Sequence, residues 1–315
     1  VKHLSLAVFV TLISATASPA QPPSLEHLGT VTGGATVLSA NNRVLLAATG
    51  STLRVIDVTQ PASAVTLATV EFEETILGLA LTGNIAYIAN SHEGLHRLDL
   101  SSPTAPRMTG HLSTRGQAVG VAAAGGYTFV ADNSLGFDIV GTDGPLSRVG
   151  EYLSDGFPRG IAASDTFVFV ADQPAGLIVV DVSNPDSPTV RGTLSLGPDP
   201  ITQVFVPNTV SGTPTPAKTG ALVSRRGGLQ IVDLADPDTP RITAAVGTSG
   251  RPRAVTVTPD RLHAITGSQL ETFDITTPTN PRAVGRTDIG SDAQQVVATP
   301  SLVFVGTTDE ILILR

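Results

Sequence analysis

Five consecutive residues, His92-Glu93-Gly94-Leu95-His96, match the H-E-x-x-H pattern of zinc proteases. That chemistry needs a helix, which sets both imidazoles on one face to hold the ion and keeps the glutamate beside it as general base. A central glycine disfavours helix. In register with later segments, Gly94 falls beside Gly136 and Gly176, and Leu95 beside Phe137 and Leu177, on a hairpin turn running into a strand. The expectation is a match without the protease chemistry. A second set is Asp57, Asp99, Asp181, Asp233 and Asp274, which invites a metal or acid–base role. Each of these is followed four residues later by proline (Pro61, Pro103, Pro185, Pro237, Pro278). An aspartate that accepts local backbone N–H groups, with a proline that presets φ, pins a turn. Turn formation is therefore the expected role of all five. No Gly-x-Ser-x-Gly, phosphate loop or Cys/His cluster occurs, so no catalytic residue, metal ligand or cofactor is assigned.

The elements that position these residues come from a repeat. The slot of Asp57 recurs at Asp99, Gly141, Asp181, Asp233, Asp274 and Arg315, at spacings of 42, 42, 40, 52, 41 and 41 residues. A unit of this length cannot bury its own apolar faces, so the copies must stack on one another. The fourth copy reads most plainly: Arg159–Ala163, Thr166–Asp172, Gly176–Val182 and Thr189–Leu196 are four short strands separated by turn residues. Both parities of Leu177-Ile178-Val179-Val180 are apolar, so that strand is covered on two faces. Four antiparallel strands buried on both sides describe the blade of a β-propeller. The expected fold is all-β, a seven-bladed propeller forming one domain over residues 21–315. The seventh copy lacks its fourth strand, and an unassigned segment, Glu26–Val31, resembles the fourth strands around Val149–Leu153 and Val190–Leu194. The N-terminal strand is expected to complete the last blade and remove the open edges. The fifth copy is longer because a Thr/Pro-rich loop, Pro207–Lys218, separates its first two strands.

The Asp-x-x-x-Pro turns, together with Gly176-Leu-Ile-Val-Val-Asp181, resemble the LVIVD-repeat family of exported bacterial and archaeal β-propellers. The resemblance spans nearly all of residues 21–315, and the third and seventh copies depart from it at the aspartate. It implies a propeller at or beyond the cell envelope and implies no defined reaction. The tryptophan–aspartate signature of WD40 blades is absent, since the sequence has no Trp.

Composition narrows the function classes. The net charge is −8 and no basic cluster occurs, so there is no electrostatic footprint for nucleic acid. The absence of cysteine excludes a disulfide framework and a lipid-modified cysteine. Lys2-His3, the apolar run Leu4–Ile13 and the small residues through Ala20 have the layout of a signal peptide cleaved after Ala17 or Ala20. The expected address is secreted or periplasmic, as a monomer with no integral membrane segment in the mature chain. Strand direction sorts the loops onto two faces, the Asp–Pro turns on one and irregular ionisable residues on the other. On the second face Asn90, Asp132 and Asp172 share a slot, as do Arg159 and Arg253. Asp132, Asp172, Arg159, Arg253 and His92 are the candidate ligand contacts at the channel mouth, although strand-end capping and a solvated rim account for them as well. The leading expectation is a binding module for a protein or small polar ligand. The alternative is a lactonase-like hydrolase holding a divalent ion at that mouth, an analogy at the level of fold alone.

Overall fold

The computed structural model describes residues 24–133, 135–164, 166–197, 199, 201–207, 218–224, 226 and 228–315. The expected signal peptide and the Thr/Pro-rich stretch 208–217 lie outside them. The described chain forms seven four-stranded antiparallel sheets arranged as a β-propeller. In blades 1 to 6 the strands pair in sequence order, first to fourth. Blade 4 consists of Phe157–Ser164, Phe167–Gln173, Gly176–Asp181 and Thr189–Leu194. Blade 7 takes Gln295–Ala298, Val303–Gly306 and Glu310–Leu314, and its fourth strand is His27–Thr32 from the other end of the sequence. Gly29 pairs with Ile313 and Val31 with Ile311 in that closure. Glu26 and Arg315 extend it with reciprocal backbone hydrogen bonds of 2.8 and 2.9 Å.

The second and third strands carry the core. Val168, Val170, Ile178 and Val180 of blade 4 pack on Phe129, Phe137 and Ile139 of blade 3. The same layering joins Phe304, Ile311 and Ile313 of blade 7 to Leu45, Ala47 and Ile56 of blade 1, so the ring closes through apolar contact as well as strand pairing. Each such fully buried side chain contributes about 1.5–3 kcal/mol of transfer free energy. The 2–3 turns need glycine for two reasons. Gly94, Gly136 and Gly176 have φ of 94°, 112° and 103°. A Cβ on Gly136 would also stand 1.9 Å from the Tyr152 carbonyl oxygen of the fourth strand.

Fourth strands meet the next blade closely. A Cβ on Gly150 would stand 1.8 Å from the Pro185 carbonyl oxygen, and one on Gly192 2.4 Å from that of Pro237. The proline turns therefore rest on glycines of the preceding blade. First strands line a central channel of about 240 Å³ contacted by all seven blades, and among the described residues no ionisable side chain lines it.

Candidate functional site

On one face of the ring the aspartate slot ends each third strand. Asp57 Oδ1 accepts from the Thr59 backbone N–H at 2.8 Å and its hydroxyl at 2.6 Å, and Asp99 and Asp274 repeat this with Ser101 and Thr276. Asp181 accepts from Ser183 N–H at 3.0 Å and Arg191 at 3.0 Å, and Asp233 from Ala235 N–H at 3.0 Å and Arg241 at 2.8 Å. These bonds favour the ionised form, and all five carboxyls sit below the usual range. Their lone pairs are committed locally, one blade at a time.

The opposite face carries the 2–3 turns and the loops from each fourth strand to the next first strand. Asp132 ends the second strand of blade 3 there, Asp172 is the penultimate residue of that of blade 4, and they are 1% and 0% exposed. They sit beneath those loops. Ser154 donates its hydroxyl to Asp172 Oδ2, and Gly156 N–H donates to the same serine oxygen at 3.0 Å. Gly116 lies over Asp132 as Gly156 lies over Asp172, and a Cβ on Gly116 would stand 2.5 Å from Asp132 Oδ1. Burial pushes the Asp172 carboxyl up, against the Ser154 and Phe157 hydrogen bonds that lower it. Blade 5 achieves the same connection in reverse, with Ser224 in the slot and Asp199 reaching from the loop at 2.5 Å.

Arg159 and Arg253 occupy bulges in the first strands of blades 4 and 6, where the pairing skips a residue. Both are exposed. Arg159 donates to Asn133 Oδ1 of blade 3 at 3.0 Å, and Arg253 to the Ala293 carbonyl at the entry to blade 7 at 2.8 Å. Arg115, on the same face, is held by Asp138 at 3.0 Å and Glu151 at 2.6 Å. A cleft of about 380 Å³ lies between the ends of blades 6 and 7, lined in part by Asp288, Asp292, Asp309 and Glu310.

The H-E-x-x-H segment is not helical. His92 is exposed in the turn, while His96 lies on the third strand of blade 2, Gly94–Asp99. His96 pairs across the sheet with His111 of the fourth strand, their rings 4.6 Å apart, and Phe72 of blade 1 meets it edge-on at 5.3 Å. Ligand atoms of Glu93, His96 and His111 lie within 4.8 Å of one another. Burial, then the neighbouring His111, pushes the His96 imidazole down to about 4. Motif matching missed His111 because a cross-strand partner is invisible to a contiguous pattern. The repeat alignment carried the signal: the same cross-strand slot holds Asp138 opposite Glu151 in blade 3 and Glu271 opposite Arg286 in blade 6.

This arrangement defines a seven-bladed β-propeller module. The LVIVD repeat matches it over residues 77–114, 115–141 and 155–195, which fall in blades 2, 3 and 4. No curated protein matches it. Among solved structures, the β-propeller domain of Cps50 (Swd1) from Myceliophteria thermophila superposes with a TM-score of 0.74 at 12% identity, over 92% of this chain and 99% of that one. The computationally designed Ika8 protein gives a TM-score of 0.64 at 10% identity, over 92% and 98%. At these identities the likeness is one of fold.

Proposed function

We propose that this propeller is an exported, monomeric binding module whose partner, a protein loop or a small polar ligand, docks on the face opposite the Asp–Pro turns. The observation that carries the reading is the pair of exposed arginines, Arg159 and Arg253, raised on first-strand bulges at the end of a channel that no charged side chain lines among the described residues. A polar ligand meets fixed charge at the mouth and finds none deeper in. Asp132 and Asp172 serve this face from beneath by holding its loops in place, and His92 stands exposed at its edge. Rigid loops on a closed ring lower the ordering cost of binding. Lys2-His3, the apolar run Leu4–Ile13 and the small residues through Ala20 support export.

The test compares two variants purified from the extracytoplasmic fraction, in which the protein should appear with its N-terminal segment removed after Ala17 or Ala20. Arg159→Glu/Arg253→Glu should lose the species that co-purifies with the wild type. Removal of residues 208–217, the Thr/Pro-rich stretch of the fifth copy, should leave capture near wild type. The reverse ranking would move the site to the Asp–Pro side.

A further inference from the structure

We propose that Glu93, His96 and His111 form a binding site for one divalent transition-metal ion at the rim of blade 2. Three observations converge. First, the ligand atoms of the three residues already lie within 4.8 Å of one another, on two adjacent strands and the turn between blade 2's second and third strands. Modest side-chain rotation brings such atoms onto one ion, since the backbone pairing fixes His96 opposite His111. Second, the tautomer of His111 is set. Its Nε2 lies 2.8 Å from the Glu93 backbone carbonyl, which can only accept, so Nε2 carries the proton. In the neutral ring Nδ1 then holds the free lone pair. A metal-ligating histidine characteristically donates its other ring N–H to a carbonyl or carboxylate in this way. Third, both His96 ring nitrogens are buried and make no hydrogen bond to the described residues. A buried imidazole with neither nitrogen partnered is costly, and an ion accepting one lone pair removes part of that cost.

The donor set selects the class of ion. Two neutral imidazoles and one carboxylate suit Zn²⁺, Cu²⁺ or Ni²⁺. Calcium and magnesium favour oxygen ligands in larger number, which this rim does not gather. Three protein ligands leave a coordination position for water or for a partner's side chain. The site shares Glu93 and His96 with the H-E-x-x-H segment but uses a different second histidine. It lies among the outer strands of blade 2, away from the channel mouth, at the rim of the face that carries the 2–3 turns.

The experiment is calorimetric titration of tag-free, chelator-stripped protein with Zn²⁺, followed by competition with Ca²⁺ and Mg²⁺. One saturable Zn²⁺ per chain is expected, undisturbed by excess Ca²⁺ or Mg²⁺. His111 is exposed and Glu93 only partly buried, so His111→Ala and Glu93→Gln should remain folded by circular dichroism. Each should weaken binding by at least about tenfold, the loss associated with removing even an outer-shell partner of a metal ligand. His92→Ala should bind as wild type does. The proposal is overturned if no saturable site appears or if both ligand variants bind undiminished. Loss of binding in His92→Ala, or displacement of Zn²⁺ by Ca²⁺, would overturn it equally.

Discussion

At the scale of single residues, the ring uses titratable groups mainly to hold its own backbone, and this gives stability a defined pH dependence. His263 is buried, bonded through Nδ1 to the Thr272 hydroxyl at 3.0 Å, and burial pushes its imidazole down to about 4. The folded protein therefore keeps this ring neutral where the unfolded chain, near 6.5, takes up a proton. Its contribution is complete above about pH 6.5 and is lost as pH falls toward 4, with a ceiling on the order of 3 kcal/mol. The turn carboxylates act in a lower window, because their folded values are depressed and their contribution fades only below about pH 4. Melting temperatures at pH 7 and 4.5 should differ less in His263→Gln than in the wild type, while His96 keeps part of the gap open. An unchanged gap would show that His263 is not the group responsible. Residue roles of this kind were only partly legible beforehand. The Asp–Pro spacing pointed to a turn because the donor lies two residues away in the same strand end. The burial of Asp132 and Asp172 was illegible because the glycines and serine that cover them belong to a loop of another strand.

At the scale of elements, strand limits in blade 4 were legible within two or three residues, since turn glycines and alternating apolar runs punctuate them. What the sequence could not display was how near one blade stands to the next. Gly150 illustrates the point: in its own strand it is unremarkable, yet its α-carbon faces the Pro185 turn of the following blade. Gly150→Ala must push backbone against backbone, and the expected loss is about 1–3 kcal/mol, the range for overpacking. Gly247→Ala is the control, because a Cβ there meets nothing within 4 Å. Chemical denaturation should separate the two clearly; equal midpoints would mean that the blades part without resistance at that contact. The H-E-x-x-H segment teaches the converse lesson. Its sequence is metalloprotease-like, but the hairpin glycine decides the element, and the element decides which histidines meet.

At the scale of the whole molecule, blade number followed from counting repeats, and the closing strand from one blade short of a strand and one strand short of a blade. The uncharged lining among the described residues was not anticipated, because the sequence reading placed Asp132, Asp172, Arg159 and Arg253 at the channel mouth without showing which first-strand side chains turn inward. Deleting residues 24–32 should leave the outer edge of the third strand of blade 7 unpaired and remove Val31 from the apolar layer joining blades 7 and 1. Such an edge recruits other chains, so light scattering and a lowered melting temperature are expected; a monodisperse deletion variant with wild-type melting would refute the role of this strand. Closure also has a consequence in time. Glu26 and Arg315 are bonded across a sequence separation of 289 residues. During synthesis the strand His27–Thr32 emerges long before its partner Glu310–Leu314 and must remain unengaged while six blades assemble behind it. Contacts of such long range form slowly and late. The lifetime of the nearly finished ring, with both seams open, is therefore the interval in which a chaperone or a second copy of the chain can intervene.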